Sequence, residues 1–108
     1  MDHIELWDKA KALMREELAN VSYTTWIEQP LKPVYVVDDK LALEVISDFN
    51  EKTIRARYLS MITAAVSQAA GREMTIELMS VKERIEWQER QKKEEAPAMQ
   101  GINMFNPK

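Results

Sequence analysis

The chain has 108 residues, 45% of them hydrophobic, and sets 15 Lys and Arg against 18 Asp and Glu, for a formal net charge of −3. That length and apolar share fit one packed core, and no run approaches the roughly 20 apolar residues of a membrane-spanning helix. Cysteine is absent, which excludes disulfides, thiolate nucleophiles and Cys-ligated metals. The opening MDHIELWDKAKALMREEL is acidic and amphipathic, unlike a secretory leader, so a cytoplasmic protein is expected. Up to residue 79 there are 9 basic against 13 acidic side chains, and beyond it 6 against 5. The acidity therefore belongs to the part expected to fold, the opposite of the basic face most nucleic-acid binders carry.

Asp2 is placed as a helix N-cap, with Glu5 three positions on completing a capping box. Ile4, Trp7, Ala10, Met14 and Leu18 follow at helical spacing and give the first helix one apolar face. Asn20 to Ser22 interrupt the pattern and re-cap a short second helix, TTWIEQ, which turns Tyr23, Trp26 and Ile27 inward or toward a partner. Pro30 and Pro33 end helical structure. LKPVYVV and KLALEVI then read as two strands joined by a turn at Asp38, Asp39 and Lys40.

Ser47 or Asp48 caps the next segment, and Phe49, Ile54, Tyr58, Met61, Ile62, Ala65, Val66 and Ala69 predict one long amphipathic helix ending at a Gly71 C-cap. Alternation of Met74, Ile76 and Leu78 gives a third strand. The order ααββαβ predicts an α+β domain over 1–79, a small three-stranded sheet with three helices packed against it. Residues 80–101, dense in both charge signs, read as a flexible linker, with Val81 and Ile85 supporting a turn or two of helix and Trp87 as a lone exposed aromatic.

Nothing in the sequence suggests catalysis, a cofactor or a metal. The single histidine, His3, sits beside the N-terminus, and there is no GxxxxGK[ST] phosphate loop. The acid pairs Glu16-Glu17, Asp38-Asp39 and Glu94-Glu95 are sequence neighbours whose side chains diverge.

The run LWDKAKALMREEL, then VSYTTWIEQPLKP, KLALEVISDFNEKTIRARYL and a closing MTIEL resembles the N-terminal domain family of the bacterial replication initiator DnaA over roughly residues 4–79. The Leu6-Trp7 pair, the cluster of Ser22, Thr25 and Trp26, and Phe49 with Arg57, Tyr58 and Leu59 carry the likeness by their order and spacing. Residues 102–108, INMFNPK, are similar to the start of that family's AAA+ ATPase domain.

The resemblance implies a fold similar to a K-homology (KH) domain and a role in protein interaction: self-association, loading of the replicative helicase, and binding of regulators of initiation. It implies Leu6 and Trp7 for self-association, against a reading of Trp7 as core that its helical spacing equally allows. It implies Ser22, Tyr23, Thr25, Trp26, Ser47 and Phe49 for the helicase and regulator surface, although Trp26 is by pattern a core residue. The competing reading is a weak single-stranded DNA contact through Lys52, Arg55 and Arg57. Against it stand the absence of a GXXG clamp, the only glycines being Gly71 and Gly101, and the mixing of this strip with Asp48 and Glu51. A free-standing domain that decoys an initiator's partners is a further alternative. ATP binding and origin recognition, which the resemblance places in other domains, do not carry over, and no membrane partner is expected.

Overall fold

The computed structural model describes residues 2–100; the segment 102–108, expected to open a following domain, lies outside the described residues. Helix α1, His3–Glu17, begins at Asp2, whose carboxylate accepts from the Glu5 N–H at 2.8 Å while the Glu5 carboxylate answers the Asp2 N–H, the predicted capping box. Its buried stripe is Leu6, Trp7, Ala10 and Met14. Ile4, expected on that stripe, is exposed. Helix α2, Asn20–Tyr23, runs directly into a π-helical turn over Thr24–Glu28, closed by the Gln29 N–H on the Thr24 carbonyl at 3.0 Å.

Strands β1, Leu31–Val37, and β2, Lys40–Val45, pair antiparallel across the turn at Asp38 and Asp39. The register slips between Pro33 and Tyr35, a bulge that suits a proline, which has no N–H to give the ladder and is confined to edge strands. Ser47 caps α3, Asp48–Arg57, its hydroxyl accepting from the Asn50 N–H at 3.2 Å. The predicted single helix over 48–70 is divided. Tyr58 leaves the helical region at φ −120° and ψ −12°, and α4 resumes over Leu59–Ala70. Gly71 ends α4 in the left-handed region, φ 74°, as the glycine C-cap reading requires.

Strand β3, Thr75–Ser80, lies parallel to β2, so the mixed sheet has the order β1-β2-β3. The α+β class and three-stranded sheet are as predicted. Where the sequence suggests a turn or two of helix followed by linker, the chain forms one helix, α5, Val81–Gln100. No helix among the described residues is long and apolar enough to cross a membrane.

The core lies between one face of the sheet and helices α1 and α4. Leu41, Leu43 and Val45 of β2 meet Leu6, Trp7, Ala10 and Met14 of α1, Ile62 and Val66 of α4, and Ile27, Ile54 and Met74. Each large apolar side chain so enclosed contributes about 1.5–3 kcal/mol. Trp7 is the largest, 1% exposed, and its indole Nε1 has no hydrogen-bond partner among the described residues. We expect Trp7→Ala to lower stability by about 3–5 kcal/mol in urea unfolding, through lost contact area and the cavity left behind. Trp7→Phe, which also removes the unpaired N–H, should cost less than half as much.

Candidate functional site

Three aromatic side chains from three parts of the chain converge beside the core. The π-helical turn presents Trp26, the first turn of α3 presents Phe49, and the break between α3 and α4 presents Tyr58. The Trp26 ring lies 6.1 Å from that of Tyr58 at 21° and 6.2 Å from that of Phe49 at 44°, within the range where aromatic pairs attract beyond simple burial. Trp26 and Tyr58 are half-buried and packed against the core. Phe49 is 70% exposed. The row thus runs from anchored to open: Tyr58 holds Trp26, and Trp26 backs Phe49. Ile46 and Val21 add further exposed apolar surface nearby in sequence.

The surroundings of Phe49 are charged. Asp48, Glu51, Lys52 and Arg55 line a shallow depression with it. The Arg55 guanidinium is committed to Glu51, Nη2 to Oε2 at 3.0 Å and Nε to the same oxygen at 3.1 Å. Lys52 and Arg57 are exposed and have no ion pair among the described residues.

The remaining expected site residues divide. Thr25 and Ser47 are exposed and Ser22 half-buried. Ser47 is occupied as the α3 cap, donating to Asn50 Oδ1 at 2.6 Å as well as accepting from its N–H. Tyr23, expected on the partner surface, is a core residue, 4% exposed, because α2 turns its ring inward beneath the Arg15 guanidinium. Leu6 and Trp7 are likewise inside, so neither side chain offers a self-association contact at the surface of this fold. Trp26, expected on the partner surface by the resemblance and in the core by its pattern, is half-buried: it packs against the core and also belongs to the aromatic row. Tyr58 was legible only as part of a helical stripe; nothing in spacing links it to Trp26, 32 positions earlier.

A small polar lock holds the π-helical turn in place. The Tyr23 hydroxyl donates to Glu28 Oε1 at 2.8 Å, and the same oxygen lies 3.5 Å from Lys11 Nζ of α1. Burial, then the hydrogen bond to Glu28, pushes the Tyr23 hydroxyl up to about 12 from its ordinary 10. That hydrogen bond, aided by Lys11 and opposed by partial burial, holds the Glu28 carboxyl below its usual value. Trp26 stands two residues before Glu28, so the lock fixes the segment that presents it.

A family model described as the DnaA N-terminal domain matches residues 4–68, the span from α1 into α4 that contains Trp26, Phe49 and Tyr58. The chain belongs to the DnaA N-terminal domain family. It is similar to the chromosomal replication initiator protein DnaA of Thermoanaerobacter sp. (strain X514), with 30% identity over 99% of this chain and 24% of that protein. The DnaA of Citrifermentans bemidjiense is 35% identical over 75% of the chain and 18% of its own length, and that of Geobacter sp. (strain M21) 36% over 67% and 15%. The chain thus spans about a quarter or less of the length of these three DnaA proteins.

The Tyr23 lock gives a pH signature. A tyrosine whose folded-state value exceeds its unfolded one stabilises the fold fully below pH 10 and loses that contribution as pH rises from about 10 to about 12. Tyr23→Phe is expected to cost about 1 kcal/mol at pH 7 and to show a shallower fall in stability across that alkaline window, measured by urea unfolding at stepped pH.

Proposed function

We propose that this chain is a non-catalytic protein-interaction domain of a replication initiator, and that the Phe49–Trp26–Tyr58 row is where it docks the replicative helicase and regulators of initiation. The exposure of Phe49 carries the reading. A phenylalanine 70% exposed and backed by the Trp26 ring costs solubility and contributes little to the core. It is also the kind of large aromatic anchor, backed by a packed ring, that supplies much of the energy of a protein interface. The charged rim of Asp48, Glu51 and Lys52 suits the polar border such interfaces carry.

Self-association belongs to the same reading as a weak contact. With Leu6 and Trp7 enclosed, substitutions there act on it through the fold rather than at the surface. Several copies gathered on DNA raise the local concentration of each partner surface, so weak pairwise contacts become effective together.

A second reading, weak binding of single-stranded DNA, draws on Lys52, which lies beside the exposed Phe49 ring and has no ion pair among the described residues, with Arg57 further along α3; a cation beside a stacking face is the combination that single strands use. Salt separates the two. Affinity for a single strand falls steeply with added salt through counterion release, whereas docking on an aromatic row does not.

Phe49→Ala is expected to leave stability within about 0.5 kcal/mol of the parent and to weaken helicase binding by roughly tenfold or more, measured by calorimetric titration alongside thermal melts. Unchanged affinity in a folded Phe49→Ala chain would overturn the proposal.

A further inference from the structure

The sheet has a second face, opposite the core, which carries Tyr35 of β1, Ala42 and Glu44 of β2, and Glu77 and Met79 of β3. Ala42 is fully enclosed and Met79 nearly so, though neither belongs to the main core. What covers this face is the first half of α5, which packs on β2 and β3. The helix starts without any loop. Ser80, the last residue of β3, is also its cap: the Ser80 hydroxyl accepts from the Glu83 N–H at 3.1 Å, and the Glu83 carboxylate accepts from the Ser80 N–H at 2.8 Å. Strand direction therefore sets helix direction.

Two side chains three positions apart, and so on one helix face, then fasten α5 to the sheet. Arg84 Nε donates to Glu44 Oε2 at 3.0 Å, and that carboxylate is largely enclosed, its side chain 12% exposed. Arg84 Nη1 also donates to Gln88 Oε1 at 2.7 Å, tying the fork to the next turn. The Trp87 ring stacks on Tyr35 at 4.8 Å and 26°. Tyr35 is itself fixed: its hydroxyl donates to Glu77 Oε1 at 3.1 Å, and Glu77 pairs with Lys40 at 3.0 Å. The two fastenings reach different strands, β2 and β1, so they resist rotation of the helix as well as lifting.

We propose that α5 is a docked arm that fixes the direction in which the chain leaves this domain, with Trp87 latched on Tyr35 and Arg84 anchored on Glu44. A flexible tether of this length lets a domain sample many orientations, whereas a helix rises about 1.5 Å per residue along one line. The docked arm therefore holds the Phe49 surface at one orientation to the chain beyond it, and releasing the latch converts a directed arm into a loose tether. This inference concerns the geometry of exit and stands whether or not Phe49 binds a helicase.

Because the chain has no cysteine, Ser60→Cys on α4 and Glu89→Cys on α5, both exposed positions, accept spin labels without further change. Pulsed dipolar spectroscopy on the full chain should give a single narrow distance distribution. Trp87→Ala should broaden it to roughly twice its width as the helix acquires tether-like freedom, while Trp87→Phe and Phe49→Ala keep it narrow. Arg84→Met, which leaves every ring in place, should also broaden it and serves as the test where Trp87→Ala disturbs folding. A broad distribution in the doubly labelled parent overturns the docked arm, as does an unchanged narrow one in both Trp87→Ala and Arg84→Met.

Discussion

The central strand β2 is enclosed on both faces, and this sets what every other element must do. Leu41, Leu43 and Val45 point into the core, while Ala42, next in alternation, is buried on the opposite side. A sheet of three strands with apolar side chains on both faces cannot stand with one face in water. Helices α1 and α4 cover one side, and among the described residues α5 lies over the other. The parallel pairing of β3 with β2 requires a crossover, and α3 and α4 supply it. That crossover carries Phe49 and Tyr58 to the place where the π-helical turn presents Trp26. Burial of β2, sheet topology and the aromatic row are thus parts of one solution.

Core and candidate site use aromatic rings in opposite ways. Trp7 and Tyr23 are enclosed, and each is committed to stability: Trp7 by its volume, Tyr23 through the hydroxyl that secures Glu28 and the π-helical turn. Trp26 and Tyr58 are half in and half out, with just enough burial to be rigid. Phe49 takes its support from the Trp26 ring and from its place beside the Ser47 cap. A wider helical turn at Trp26 also fits the general finding that single π-type turns occur at functional positions.

Much of this was legible in the sequence, because local chemistry dictated it. The Asp2 and Glu5 capping box, the Gly71 left-handed cap, the hairpin around Asp38 and Asp39 and the third strand each rest on residues adjacent in the chain, and each appears where the pattern put it. The failures were tertiary. No proline or glycine marks the break at Tyr58, which is visible only once its ring is seen on Trp26. Tyr23 is enclosed and Trp26 only half-buried, a difference that a period of 3.6 does not give, since a π-helical turn beginning at Thr24 changes the angular spacing between them. Leu6 and Trp7 sit on a helical stripe that spacing alone assigns equally to a core or to an interface. The helix after Ser80 differs from the expected turn or two of helix for another reason. It lacks a broad apolar face, yet it is built of strong helix formers, with Glu86 before Arg90 and Glu89 before Lys93 at the favourable four-residue interval. Its one aromatic needed a partner, Tyr35, that no local pattern could name.

The helix that carries Phe49 is less anchored in the core than α1 or α4. Among the residues of α3 only Ile54 is fully enclosed, against four on α1 and three on α4. The rest of its hold comes from the Ser47 cap, the exposed Glu51–Arg55 pair and the contact of Phe49 with Trp26. Exposed ion pairs and single caps are individually worth about 1 kcal/mol or less, so α3 belongs to the part of the fold that opens most readily. A partner covering Phe49 would reinforce the element with the most to gain from it, while the Tyr23–Glu28 lock keeps Trp26 in register whether or not α3 is engaged. The rigid half of the site thus comes from α2 and the π-helical turn, and the adaptable half from α3. On the proposed reading, such a division would let one surface accept more than one partner, since Phe49 can adjust on α3 while the Trp26 ring beside it stays where the core has put it.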